Sequence, residues 1–176
     1  MANVIIDIEI VIDTQSVLNT YGRTPGTWDH PTGIAHSYGY MVAQSDYVRS
    51  GQATGDLAIK AIEGDAIRWR SLSLSGNANQ SAVIYAITKF SGDTVTDDIK
   101  ATVSSPKTPI PNVKDGHVVL PPSFVVKQQD AFYLGANIAR SGTENYKVGF
   151  YITEQDRDGN TNVKGYYEWD PAIYVA

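Results

Sequence analysis

The chain has 176 residues, 42% of them hydrophobic and 19% charged, with a net charge of −5 and no cysteine. That length fits one domain, residues 1–176, with a core that needs no covalent staple, and the composition excludes a disordered chain. The 14 Lys and Arg are scattered, so no concentrated basic face awaits nucleic acid, and without cysteine there are no disulfides, thiolate metal sites or cysteine nucleophiles.

Residues 4–13 alternate cleanly. Val4, Ile6, Ile8, Ile10 and Ile12 share one face and Asp7, Glu9 and Asp13 the other, which predicts a strand with one wet face. The acidic residues interrupt what a secretory signal needs as an uncharged apolar segment, so the expected location is the cytoplasm, with non-classical export or release left open. No run approaches the roughly 18 apolar residues of a membrane helix. Asp13 or Thr14 is placed to cap a short helix through Val17 and Leu18 that Gly22 ends. Residues 22–36 form a loop by composition and carry Trp28, Asp29 and His30. A weak strand follows, with Tyr38, Tyr40 and Val42 on one side.

The densest pattern lies in residues 51–77. Leu57, Ile59 and Ala61 alternate with Ala58 and Lys60, and Glu63, Gly64 and Asp65 supply turn residues. In the next run Ile67 and Trp69 share a face opposite Arg68 and Arg70, but the following apolar residues are Leu72 and Leu74. Keeping all of these inward requires one extra residue, which predicts a β-bulge near Arg70 or Ser71. Ser73 and Ser75 then read as outward positions. Bulges often sit beside sites, whereas two arginines flanking a tryptophan also cover a sheet face with their aliphatic stems.

Val83 to Phe90 is apolar on both faces at its start, as expected of a central strand covered on both sides. Asp93 to Asp98 turns the chain. Residues 103–123 hold five of the eight prolines, which suggests an edge or a long crossover with short strand pieces at 118–120 and 124–126. Phe132, Leu134, Ala136 and Ile138 alternate again. Tyr146 to Thr153 returns through Gly165 to Trp169 as a hairpin, and Ile173 to Val175 adds an edge segment. With about eight to ten short strands, a helical turn or two and no repeat, the expected class is all-β, a single antiparallel β-sandwich of jelly-roll or immunoglobulin-like type, with a barrel as the second choice.

Chemistry is sparse. His30, His36 and His117 are the only histidines; no Gly-x-Ser-x-Gly elbow accompanies them and no His-x-His or His-Glu-x-x-His spacing occurs. No catalytic residue is therefore assigned and the chain is not expected to be an enzyme. Asp156, Asp158, Asn160 and Asn162 set oxygen-bearing side chains at alternate positions, as a calcium shell requires; a plain Asp-Gly hairpin turn accounts for the same residues. Three tryptophans and 11 tyrosines offer stacking faces for sugar rings. Trp28, Asp29 and His30 form the best-exposed candidate glycan site, while Trp69 and Trp169 read as core or interface residues. Arg68, Trp69 and Arg70 are the second candidate ligand-binding group.

Val11-Ile12-Asp13-Thr14, Gly51-Gln52-Ala53-Thr54-Gly55-Asp56-Leu57, Gly64-Asp65-Ala66-Ile67-Arg68-Trp69-Arg70-Ser71 through Ser75-Gly76-Asn77, and Gly165-Tyr166-Tyr167-Glu168-Trp169-Asp170-Pro171 together make the sequence similar to the bacterial PixA/AidA family of inclusion body proteins. The resemblance spans nearly the whole chain. It implies a non-enzymatic protein, in some members forming crystalline intracellular inclusions and in others under quorum-sensing control with a link to host or nematode interaction. It carries over no catalytic residue, and it suggests a packed polar network of Arg68, Trp69, Arg70 and Asp170. The chain departs from the inclusion-forming members in having only Met1 and Met41. Two expectations result: a self-associating homo-oligomer, dimer or larger, and a carbohydrate-binding lectin with calcium as a candidate cofactor.

Overall fold

The computed structural model describes residues 3–23 and 26–175, the last four of these as backbone only. In chain order the elements are β1 (Ile5–Ile12), α1 (Thr14–Tyr21), β2 (Thr32–Gly33), β3 (Gly39–Ala43), β4 (Val48–Ser50), β5 (Ala58–Ile59), β6 (Ala66–Ser73), β7 (Gln80–Gly92) and β8 (Lys100–Ser104). There follow β9 (Lys107–Pro111), β10 (Val113–Lys114), β11 (His117–Val118), β12 (Phe124–Gln128), β13 (Ala131–Asn137), β14 (Gly142–Gln155), β15 (Thr161–Trp169) and β16 (Ala172–Val175). The expected all-β class holds.

Its arrangement is richer than a single antiparallel sandwich of eight to ten strands. One five-stranded sheet has the order β3-β1-β6-β13-β8, a second joins β2, β15, β14, β16 and β7, and three two-stranded ribbons stand beside them. Neither five-stranded sheet closes into a barrel. Both are mixed, because β1 runs parallel to β6 and β2 parallel to β15. Alternation within a strand reports its faces and not the direction of its neighbours, so this could not be read from the pattern.

The alternation of β1 survives intact: Ile6, Ile8, Ile10 and Ile12 are buried. They join Ile67 and Trp69 from β6 and face Tyr146, Val148, Phe150, Ile152, Tyr167 and Trp169 from β14 and β15 in one core. Trp69 meets Tyr146 at 6.1 Å between ring centroids, and Phe150 meets Trp169 edge-on at 5.7 Å. Each such aromatic contributes about 1.5–3 kcal/mol by burial. Trp69 is wholly buried, and among the described residues its Nε1 makes no hydrogen bond of good geometry, so packing is the main hold on its indole. Asp13 caps α1 by accepting from the Ser16 N–H at 3.1 Å, and Gly22 ends it at φ 87°.

Three local expectations are corrected. No bulge occurs near Arg70 or Ser71; β6 pairs β1 in unbroken register from Ile5↔Ala66 to Ile12↔Ser73. The parity never slips, because Ser73 is inward and Leu74 is 61% exposed. Ser71 Oγ donates to the Ala82 C=O and accepts from the Ile84 N–H, while Ser73 Oγ donates to the Gln80 C=O. The serines thus carry β7's backbone at the seam between the sheets, a role that looks in sequence like a wet face. Among the described residues β7 pairs with β14 alone, and it lies at a sheet edge. Its outward Val83 and Tyr85 meet solvent-side neighbours instead of a second layer. In β3, Tyr40 and Val42 do share one side, the outer one, and Met41 and Ala43 face the core.

Residues 107–128 leave the body. Beyond the Ala131↔Ser104 pair of β13 and β8, the same two chains continue as β12 and β9, from Gln128↔Lys107 to Phe124↔Pro111, and end in the small β10/β11 hairpin. This two-stranded arm exposes Val113, Val118, Leu120, Phe124, Val125 and Val126, with Leu120 at 77% and Phe124 at 64%.

Candidate functional site

Trp28 and Asp29 occupy the tip of a tight turn closed by reciprocal Thr27 and His30 backbone bonds of 3.1 Å. Thr27 Oγ1 donates to Asp29 Oδ1 at 2.6 Å, and His30 Nδ1 lies 3.2 Å from Asp29 Oδ2. The Thr27 hydroxyl, followed by the Asp29 amide and His30, holds the Asp29 carboxyl below its ordinary range. Trp28 is 68% exposed. Its position is set from the sheet, because Tyr85 Oη donates to the Trp28 C=O at 2.8 Å.

Tyr85 belongs to a cluster on the outer face of the second sheet. Its ring lies 6.3 Å from Tyr151 and 6.0 Å from Tyr166, which are themselves 6.0 Å apart. Gly149 makes room for it: a Cβ there would stand 3.1 Å from Tyr85 Cζ. Lys147 and Glu168 form an ion pair on the same face. Partial burial, followed by the nearby Glu168, raises the Tyr85 phenol above its ordinary value, so it remains a neutral donor. The Trp28 loop therefore sits at the margin of three half-buried tyrosines. Their outward parity in β7, β14 and β15 was the signal that could have found them.

The second candidate group divides by face. Trp69 points into the core, while Arg68 and Arg70 lie on the outer face of the first sheet. Arg68 grips Asp7 in two parallel bonds, Nε to Oδ1 at 2.9 Å and Nη2 to Oδ2 at 2.8 Å, and Arg70 Nη1 adds a third at 3.0 Å. Both guanidinium carbons also stand over the Tyr133 ring, at 5.3 and 5.5 Å. The bonds to Asp7 raise the Arg68 pKa further. Burial pushes the nearby Glu9 carboxyl up, with Arg70 opposing it. Beside this cluster a groove of about 250 Å³ opens over Gly135, lined by Ile5, Arg68, Lys100 and Tyr133 among others. Trp69 forms no part of the polar cluster, nor does Asp170.

Asp170 is instead joined to a residue the sequence did not single out. His36 contacts Asp56 Oδ1 through Nδ1 at 2.8 Å and Asp170 Oδ1 through Nε2 at 3.0 Å. Both ring nitrogens donate to carboxylates only in the imidazolium form. Partial burial lowers the His36 pKa, but the bonds to Asp56 and Asp170 outweigh it and raise the value above 6.5. The Trp169 indole N–H points at the Gly55 C=O at 3.4 Å. These contacts tie the Gly-Asp loop before Leu57 to the Trp-Asp-Pro segment.

Asp156, Asp158, Asn160 and Asn162 lie on the exposed turn between β14 and β15. The Asp156 carboxylate accepts from the Asp158 and Asn160 N–H groups at 3.0 and 2.8 Å, and from the Asn160 and Asn162 Nδ2 atoms at 3.3 Å. These bonds, with the Asn160 backbone first, hold its pKa below the ordinary value. The Asn160 and Asn162 side chains thus converge as donors on this one carboxylate. Among the described residues no three His, Asp or Glu side chains gather around a common point.

The structure is similar to the crystal structure of inclusion body protein PixA from Burkholderia cenocepacia J2315, at TM-score 0.83 and 20% identity, over 100% of this chain and 98% of that one. That likeness concerns the fold. No functionally curated protein matches the chain. The family model for the inclusion body protein PixA matches residues 4–175, a span that takes in both five-stranded sheets, the arm and the His36 contacts; the chain belongs to the PixA family of inclusion body proteins.

Proposed function

We propose that this protein is a non-catalytic, self-associating member of its family and that the arm of residues 107–128 joins one copy to another. One observation carries the reading: six apolar side chains of the arm face solvent on a ribbon that packs no second layer against itself. An isolated two-stranded ribbon is marginal in water, and contiguous exposed apolar surface marks an interaction site. Membership of a family of inclusion body proteins supports association with like copies. Accumulation in the cytoplasm with release by a non-classical route belongs to the same proposal and follows from the resemblance. The test is sedimentation of the purified full chain across micromolar concentrations. A particle heavier than 19.2 kDa supports the reading; a 19.2 kDa particle at every concentration removes it.

The Trp28 loop favours a second reading, a carbohydrate-binding face. An exposed indole beside Asp29 and His30, braced by Tyr85 above Tyr151 and Tyr166, combines a stacking surface with hydroxyl-binding oxygens. A glycan array run with calcium and again with chelator tests it. Binding that disappears in Trp28→Ala supports the loop; binding lost with chelator alone directs attention to Asp156 and its neighbours.

A further inference from the structure

The two long edges of the arm differ, and the difference is set by sequence. The Asn112 N–H donates across the ribbon to the Ser123 C=O at 2.9 Å, and the Gln129 N–H donates to the Pro106 C=O at 3.1 Å. N–H directions alternate along a strand, so these two bonds fix the rest. On β9, Thr108 and Ile110 point toward β12, and Pro109 and Pro111 occupy the positions whose N–H would point outward. Along that edge only Lys107, at the base, keeps an outward N–H, and proline at the next two outward positions is a usual means of preventing strand addition. On β12, Val125 and Lys127 point toward β9, while Phe124, Val126 and Gln128 point outward. Among the described residues β12 pairs with β9 alone, and residues 124–128 contain no proline. One edge is closed and the other is open.

We infer that the open edge Phe124–Gln128 pairs antiparallel with the same segment of a second copy, forming a continuous four-stranded ribbon about a two-fold axis at Val126. The inference rests on the self-association proposed above and names its contact. The segment suits itself. Centred on Val126, Val125 stands opposite Lys127 and Phe124 opposite Gln128, so no like charges face each other and the apolar side chains meet in the middle. Charge favours a like copy too. Residues 107–128 hold three of the 14 Lys and Arg but one of the 19 Asp and Glu, so nearly all the acidic charge lies elsewhere on the chain. Antiparallel pairing sets the tip end of one β12 beside the base end of the other, which directs each tip, where Asp115 offsets Lys114, toward its partner's acidic body without adding like charge to it.

The test uses the full chain. Val126→Pro removes one outward N–H and keeps every bond within the arm, copying on β12 what Pro109 does on β9; it is expected to bring the sedimenting mass down to 19.2 kDa. Val126→Cys introduces the molecule's sole thiol. In the paired ribbon residue 126 lies about 5.5 Å from its counterpart, inside the roughly 4.4–6.8 Å span of disulfides, so mild oxidation or a short bis-maleimide is expected to link nearly all of the protein in pairs. Pro109→Cys, on the closed edge, is expected to stay unlinked. If the wild-type protein is oligomeric but Val126→Cys does not link, or Val126→Pro remains oligomeric, the edge assignment is overturned while self-association stands. A wild-type mass of 19.2 kDa at all concentrations overturns both.

Discussion

The body and the arm of this protein use the same kinds of residue to opposite ends. In the body, isoleucines, valines and aromatics alternate with polar residues and vanish into one core, where Ile6, Ile10, Ile67 and Val148 retain no exposure. In the arm, Phe124, Val125 and Val126 follow one another and all three face solvent. A run of apolar residues in a two-stranded ribbon cannot hide either face, since none of the described residues forms a layer above or below it. If the arm joins copies as proposed, the body's apolar surface serves stability and the arm's serves contact. Mutations in the two regions should therefore separate cleanly.

The largest effect is expected in the body. Trp69→Ala removes a fully buried indole packed on Tyr146 and should lower unfolding free energy by about 3–5 kcal/mol, a large share of the roughly 5–15 kcal/mol that a domain possesses. Denaturant unfolding in dilute protein measures it, and a loss below ~1 kcal/mol would mean the core closes over the gap. Next comes Glu144, which is 3% exposed and accepts from the Val95 N–H, the Thr96 N–H and the Thr96 hydroxyl. Glu144→Leu leaves two buried N–H groups unpaired, each at about 1–3 kcal/mol. It should also raise hydrogen exchange at Val95 and Thr96, and unchanged protection there would refute the bracing role.

How far these regions were legible from sequence follows the same division. β1, the β14/β15 hairpin and the Asp13 cap are written in spacings of two to four residues, and their physics is local. The mixed sheets required knowledge of which strands neighbour one another. Ser71 and Ser73 misled because an inward serine bonded to backbone looks identical, in a pattern, to an outward one. The His36 contacts join residues 20 and 134 positions apart, which no local rule anticipates. The prolines of residues 103–123 did announce an edge, yet only the pairing shows that Pro109 and Pro111 close one side of a ribbon whose other side stays open. The candidate binding residues fared likewise: exposure at Trp28 and burial at Trp69 were foreseeable from their surroundings, but Tyr85 beneath the Trp28 loop was not.

A smaller, pH-dependent effect is expected where the body's loops meet. The folded pKa of His36 is raised, so its clasp on Asp56 and Asp170 contributes fully below the ordinary value of 6.5 and is lost as pH rises through the folded value. Wild-type stability relative to His36→Gln should therefore fall as pH rises above the ordinary value of 6.5 and through the raised folded value, with His36→Gln nearly flat over the same range. Parallel curves for the two proteins would show that the imidazolium form is not what the clasp holds.

The smallest stability effect belongs to the arm and tests the comparison most directly. Phe124→Ser alters a side chain that is 64% exposed, so unfolding of the dilute protein should change by no more than about 0.5 kcal/mol, against several for Trp69→Ala. Association should respond in the reverse order: Phe124→Ser weakens it tenfold or more, because the ring, opposite Gln128 of the second copy, would flank the central Val126 pair and shield it from water. Sedimentation equilibrium and denaturant unfolding on the same preparation read both quantities. If Phe124→Ser destabilised the dilute chain by as much as a core substitution, the arm would be packed on its own body after all, and its exposed residues would have to be understood as part of the fold rather than as a surface kept for a second copy.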